Sequence, residues 1–505
     1  MSKAEKRKPD ILMIVSDQHG APFASCYGDP IIQTPNIDGL AAEGVLFERA
    51  YCPFPVCGPS RASYLTGRYP HDIRCVDNGM ALPSDIPTMA HALAIAGYEV
   101  VVAGRVHWKG PDQLHGFERR LVGDMSESYW HAYERWVRVG EITYLTGGEG
   151  FKRPSITHFS GPGGSQYQDY DKAVLDAALA FLAQRSVQTE RRPFFLMVGF
   201  MSPHYWFTCP LQDFDRYAGQ IEAPPLPAGY PNSLHLHNRQ IVANGGLAGI
   251  SEDDVVRTRT AYYGLVTFTD RMVGHLLSAL ERHGLVKDSL VLYFSDHGEM
   301  AGQHGLWWKH TFYEEASRVP LIVSYPGRFP AGRRVADLVS LVDILPSLCD
   351  WTGAPRPPRL AGQSLDPLMH GGRGPQERAV FSELCGGYPG GSSVARMVRQ
   401  GPWKYNYYYG QRAELFHLDD DPDELRDLAS DPAYLEVCRQ LEKLLLESWD
   451  PQAVGAMWDE YREVSEYMRM WTSALNPPDP DQWDGMKPPF PEEWRQNAST
   501  YLRQW

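Results

Sequence analysis

The chain has 505 residues, 43% hydrophobic, 22% charged and 12% aromatic, an ordinary globular composition with material for more than one core. That excludes a disordered or fibrous protein. Sixty-two Asp and Glu against 48 Lys and Arg give a formal net charge of −14, so the basic footprint that draws phosphate backbones or anionic lipid is missing and neither nucleic acid nor membrane is expected as a partner.

Residues 1–10 carry charge but no apolar segment, and no apolar run reaches the roughly 18 to 20 residues that span a bilayer, so the sequence predicts a cytoplasmic protein. Residues 11–15 read as a first buried strand, 88–96 as a helix stopped by Gly97, and 98–103 as a second strand. A helix over 171–184, a strand over 194–200, a helix over 259–283 stopped by Gly284, and strands over 290–294 and 319–323 follow. Strand and helix alternate as an α/β sheet covered on both faces requires.

Residues 370–375 are rich in glycine and read as a linker, which divides 1–370 from a smaller unit over 371–449. That unit has strand candidates around Val380, 394–396 and 404–408, and an amphipathic helix over 432–449. Residues 450–505 form a tail with five tryptophans (458, 471, 483, 494 and 505) and two proline-rich segments, suited to packing on its own chain or on a neighbouring subunit. A homodimer or homotetramer is expected. The eight cysteines (26, 52, 57, 75, 209, 349, 385 and 438) form neither a disulfide scaffold nor a zinc pair and read as reduced thiols, with Cys57 set apart by its motif.

In open α/β sheets, ligands bind beyond the carboxyl ends of the strands. Here those ends run into Ser16-Asp17-Gln18-His19, Gly104-Arg105-Val106-His107, Ser202-Pro203-His204 and Ser295-Asp296-His297-Gly298. Asp17, Gln18, Asp296 and His297 offer two carboxylates, an amide oxygen and an imidazole, a set suited to Ca²⁺, Mg²⁺ or Mn²⁺. One Asp after a strand more often caps a helix; two Asp-centred pairs at two strand ends favour a metal. Arg105, His107, His204 and Lys309 are basic groups able to neutralise a tetrahedral oxyanion and move protons around it. His19, His304 and His310 read as structural.

The most specific segment is Cys57-Gly-Pro-Ser-Arg61-Ala-Ser-Tyr-Leu65-Thr-Gly67-Arg68. It resembles the sulfatase signature, Cys-x-Pro-Ser-Arg followed by Leu-Thr-Gly. The resemblance extends in order through Asp17-Gln18, Gly104-x-x-His107, Pro203-His204, Ser295-Asp-His-Gly298 and Lys309 ahead of Val319-Pro320. It implies an alkaline-phosphatase-like fold, a large mixed sheet sandwiched by helices, with a smaller C-terminal α+β subdomain and an extended tail.

The resemblance also implies that a formylglycine-generating enzyme converts Cys57 to formylglycine, the nucleophile. One divalent metal, calcium foremost, would be held by Asp17, Gln18, Asp296, His297 and residue 57. Arg61 would steady the formylglycine, while His107, His204 and Lys309 would bind sulfate and transfer protons. One position departs: the family usually has Lys where this chain has Arg105, which keeps the charge but cannot give up its proton. Segments 110–118 and 305–309 and the pair Trp449-Asp450 are similar to the choline-sulfatase branch. Choline would need an aromatic cage, for which Trp130, Trp307 and the tail tryptophans are candidates.

The implied activity is hydrolysis of a small organic sulfate ester. A hydroxyl of the hydrated aldehyde would attack sulfur, His204 with Lys309 would protonate the leaving alcohol, and His107 would take the proton whose loss expels sulfate. Phosphonate monoesters or phosphodiesters are the nearest alternative substrates, and a binding protein that kept the fold but lost catalysis is a second alternative.

Overall fold

Four of the five expected strands become neighbours in one nine-stranded sheet, in a computed structural model that describes residues 8–125, 135–146, 152–188, 191–375, 378–386, 393–475 and 477. Its strands are Asp10–Asp17 (β1), Val45–Tyr51 (β2), Glu99–Gly104 (β3), Arg119–Arg120 (β4), Phe194–Pro203 (β5), Ser289–Ser295 (β6), Arg318–Val319 (β7), Leu321–Ser324 (β8) and Arg333–Ser340 (β9). The order is β7-β2-β8-β6-β1-β5-β3-β4, with β9 also on β2. β6, β1, β5 and β3 run parallel at the centre, while β8 turns the sheet antiparallel.

The fifth expected strand, 319–323, is corrected: Pro320 lacks an N–H and splits it into β7 and β8, which pair separately with β2. β2 and β9, whose charged residues break up the apolar pattern, escaped the sequence reading.

Alternation along β1 builds both layers. Ile11, Met13 and Val15 pack with Leu65, Leu93 and Leu345, whereas Leu12 and Ile14 pack with Val174, Phe181 and Leu276 on the other face. The helices behind these contacts are Cys57–Thr66 (α1), Met89–Ile95 (α2), Gln166–Ser186 (α3), Glu252–Arg282 (α4) and Ile344–Thr352 (α5). α4 begins seven residues before its predicted start, because Ser251 accepts from the Asp254 N–H and three acids fill the first turn.

A second sheet pairs Ala379–Leu384 (β10), Ala395–Gln400 (β11), Trp403–Tyr408 (β12) and Glu414–His417 (β13) in sequence order, all antiparallel, with helix Leu435–Leu446 (α6) packed on β11 and β12. Where it meets the large sheet, Lys404 Nζ lies 3.1 Å from Glu314 Oε1 and 2.8 Å from Glu424 Oε1. The first half of the expected tail is a helix, Pro451–Leu475 (α7), that packs on its own chain: Trp458 lies against Gly386, Tyr461 against Gly79, and Arg74 pairs with Glu460 at 2.8 Å. Trp483, Trp494 and Trp505 lie outside the described residues.

Candidate active site

Strand register delivers the site. Ser16 pairs with Ser295, Asp17 with Pro203 and Gly104 with Gly199, so four strands end level and place Asp17, Asp296, Arg105 and His204 at one edge. Glycine is required there, since a Cβ on Gly199 would lie 2.1 Å from the Arg105 carbonyl oxygen.

Neither strand-end aspartate caps a helix. Asp17 Oδ2 accepts from Arg105 Nε at 2.6 Å and from Arg61 Nη2 at 3.3 Å, and Asp296 Oδ2 accepts from Arg61 Nε at 2.8 Å. The arginines thus neutralise the outer oxygens and leave the inner Oδ1 atoms converging with other donors. His297 Nε2 lies 3.6 Å from Asp17 Oδ1, 3.7 Å from Asp296 Oδ1 and 3.1 Å from Cys57 Sγ. His297 Nδ1 faces the Gly298 carbonyl at 3.0 Å and must donate to it, so Nε2 carries a lone pair. Ligand atoms of Asp17, Cys57, Asp296 and His297 all lie within 4.8 Å of one another. Inward oxygens, a bare imidazole nitrogen and cations held behind them fit a divalent ion.

Burial alone would push Asp17 up, but Arg105, His204, Arg61 and Lys309 together hold it well below the usual carboxylate range, so it stays ionised. Gln18 stands beside it, its amide oxygen accepting from Lys309 Nζ at 2.5 Å and its Nε2 donating to Glu299.

Cys57 opens α1, whose ten residues are all buried and whose end is capped by Gly67 at φ 66°. Its sulfur reaches Asp17 Oδ1 at 3.4 Å and Lys309 Nζ at 3.3 Å. Burial and the Asp17 charge push the thiol up to about 11, so an unmodified Cys57 is a neutral and poor nucleophile. Arg61, four residues on, spans both aspartates and donates to the Arg105 carbonyl at 3.0 Å.

The remaining basic groups gather at the same edge. Arg105 Nη2 lies 3.0 Å from His107 Nδ1, and His204 Nδ1 lies 2.6 Å from the Tyr205 carbonyl oxygen. Burial lowers both histidines well below their ordinary value, with Arg105 adding to the effect at His107 and Lys309 at His204.

Trp307 is 1% exposed and packs on Phe207. Trp130 lies outside the described residues. His19 is held by Tyr293 OH and the Phe23 carbonyl, His304 stacks on Tyr313 at 3.9 Å, and the His310 carbonyl accepts from His237.

Two acids went unread. Glu299, next after the Ser295-to-Gly298 run, accepts from the Ala301 and Trp308 N–H groups, and burial pushes it up to about 8. Asp124 accepts from the Val106 and His107 N–H groups, a tertiary contact that no local motif announces.

A cavity of about 1210 Å³ lies between loop 77–79 and α7, lined by Asp77, Trp458, Tyr461, Arg462, Glu466 and Arg469 among others. Asn78, next after the lining residue Asp77, accepts from the Gly58 N–H through Oδ1 at 2.8 Å.

A sequence model of the sulfatase family matches residues 9–354, which span β1 and the strand-end groups from Asp17 to Lys309. The chain belongs to the sulfatase family. A second model, the C-terminal region of N-sulphoglucosamine sulphohydrolase, matches residues 302–450. Choline-sulfatase from Rhizobium meliloti is 34% identical over 438 residues, 84% of this chain and 83% of the relative. Among solved structures, a putative sulfatase from Bacteroides thetaiotaomicron superposes with a TM-score of 0.70 at 25% identity, covering 90% of this chain and 94% of that one. The phosphonate monoester hydrolase of Agrobacterium radiobacter superposes at 0.68 with 22% identity, covering 89% and 96%, and so shares the fold. In this sulfatase, then, the family's metal ion and Cys-derived formylglycine correspond to a buried Asp/Cys/His cluster.

Proposed function

We propose that this sulfatase hydrolyses the sulfate monoester of a small alcohol to the alcohol and inorganic sulfate, with residue 57 as a formylglycine nucleophile. The observation that carries this reading is the convergence of Cys57 Sγ on Asp17, His297 and Lys309 within 3.4 Å, at the head of a Cys-x-Pro-Ser-Arg motif. Asp17, Gln18, Asp296 and His297, with residue 57, would hold one divalent cation, calcium foremost for so oxygen-rich a set. When present, the cation would supply counter-charge to a sulfate oxygen, and the hydrated aldehyde two hydroxyls, one to attack sulfur and one whose proton must leave for sulfate to depart.

The chain's own groups do the rest. Lys309 and Arg105 bind and orient the non-bridging oxygens in a site where their charge is little screened. His204 has its Nδ1–H committed to Tyr205, so Nε2 is the atom that gives a proton to the leaving oxygen. The arriving sulfate's negative charge favours the protonated ring. Departure of sulfate needs a base, and the two imidazoles at this edge, His107 and His204, are the candidates. The alcohol is assigned to the cavity by Trp458 and Tyr461, a reading supported by the likeness to choline-sulfatase.

The chemistry belongs on this reading to residues 1–370, with 371–449 as a supporting subdomain. Maturation by a formylglycine-generating enzyme, a cytoplasmic location and a homodimer or homotetramer complete it. Self-association is supported by Val464, Tyr467, Met470 and Leu475, exposed on α7. No helix among the described residues is long and apolar enough to cross a membrane.

The test is the mass of the tryptic peptide 50–61 together with rates on choline sulfate, an aryl sulfate and a phenylphosphonate ester. Replacement of a thiol by an aldehyde, with sulfate esters cleaved fastest and Cys57→Ala inactive, is the expected result. An unmodified cysteine in active protein, or faster phosphonate cleavage, would overturn the reading.

A further inference from the structure

A side-chain amide carries an acceptor on one branch and a donor on the other, so Gln18 can serve a cation only when it is turned the right way. Its backbone leaves the amide no choice of place. The Gln18 N–H donates to Asp296 Oδ1 at 3.1 Å, its carbonyl accepts from Tyr262 OH at 2.8 Å, and the residue is fully buried at φ 74°. Only the turn of the amide is left to fix.

Two neighbours fix it. An ammonium has no lone pair, so Lys309 Nζ, 2.5 Å away, must face Oε1. Nε2 is then left to donate to Glu299 Oε2 on the other branch. Glu299 is itself 0% exposed and held from behind, its Oε1 accepting from the Ala301 N–H at 2.9 Å and the Trp308 N–H at 2.7 Å. Those two groups lie near the two ends of one loop, closed by a bond of 2.7 Å from the Met300 N–H to the Trp308 carbonyl. The residue after Trp308 is Lys309. One side chain thus touches the Gln18 amide on one branch and braces the backbone that delivers the ammonium to the other.

We propose that Glu299 is a positioning residue that fixes the Gln18 amide with its oxygen turned toward the cation, through the contact of Oε2 with Nε2. Lys309 and Glu299 form a matched pair around the amide, one donating to it and the other accepting from it. A glutamine at position 299 breaks the match. Its oxygen would stay with the Ala301 and Trp308 N–H groups and its NH₂ would face that of Gln18, so neither turn of the Gln18 amide would satisfy both neighbours.

This inference rests on the reading in which Gln18 holds the cation. Calcium affinity, measured by calorimetry on chelator-treated protein, tests it without turnover. Glu299→Gln should raise the Kd for Ca²⁺ about 10- to 100-fold. In a Gln18→Met background, where no amide is left to turn, the same change should cost little more. An equal effect in both backgrounds, or none in the parent, would overturn the proposal and leave Glu299 as an anchor of its loop.

Where a variant fails to fold, a crystal structure of the calcium-loaded parent decides. Gln18 is expected to place one amide atom about 2.3–2.6 Å from the ion, and therefore its oxygen, with the other on Glu299. An amide turned away from either would overturn the proposal. A parent that binds none of calcium, magnesium and manganese would overturn the cation reading together with it.

Discussion

Two buried clusters of similar composition serve different ends in this chain. Where the small sheet docks, Lys404 stands between Glu314 and Glu424, and further carboxylate oxygens are used by Tyr51 OH and by the Glu314 N–H. At the open edge of the large sheet, Arg61 and Arg105 stand behind Asp17 and Asp296, and the inner oxygens converge on His297 and Cys57. Counter-ions between acids close a network; counter-ions behind them leave it able to accept a further cation. The first cluster is a rivet and the second a site.

That contrast breaks most visibly at its two lysines. Lys404→Met leaves two buried carboxylates facing each other and should cost about 3–5 kcal/mol of stability in urea unfolding, with specific activity of the folded fraction unchanged. Lys309→Met should do the reverse, lowering kcat about 10²- to 10³-fold while the melting temperature moves by only a few degrees. Equal effects of the two on stability would dissolve the distinction.

Metal removal sharpens it further. A chelator should abolish activity and lower the melting temperature, by an amount equivalent to about 2.7 kcal/mol if the ion was present at a hundred times its Kd, and calcium should restore both. Lys404→Met should leave that difference intact.

The smallest effect is expected at a contact between the turn Pro70–Ile73 and strand β10 of the small sheet. His71 Nδ1 lies 2.6 Å from Glu383 Oε1; burial opposes its protonation, but the Glu383 carboxylate outweighs it and raises the ring above its ordinary 6.5. A raised histidine stabilises the fold fully below its unfolded value, and that contribution is lost as pH rises through the folded one. His71→Ala should therefore cost about 1 kcal/mol at pH 6 and less at pH 9, as measured by denaturation at both. A cost that grows with pH would exclude the ion pair.

Much of the site was legible because its chemistry sits at strand ends. Asp17, Arg105, His204 and Asp296 each follow a short apolar run, and parallel pairing then puts such ends at one edge whatever the intervening chain does. Asp124 was not legible, because its value lies in the turn it holds and the guanidinium it faces, and neither leaves a local pattern. The surroundings of Trp307 were not legible for the same reason: aromatic character shows in sequence, but the packing against Phe207 does not. The tail read as a composition, and only its packing shows α7 lying on loop 77–79 beside the nucleophile helix.

The sequence by itself determined the family, the alternation of buried strands and helices, and the residue types at each strand end, because period, turn chemistry and motif spacing are properties of neighbours along the chain. The tertiary structure alone decided which oxygen of each aspartate faces inward, which nitrogen of each histidine is committed, and which helix walls the cavity. Those depend on partners as far apart as Asp17 from Arg105 and Arg61 from Asp296, 88 and 235 residues along the chain, and such distances are closed only by folding.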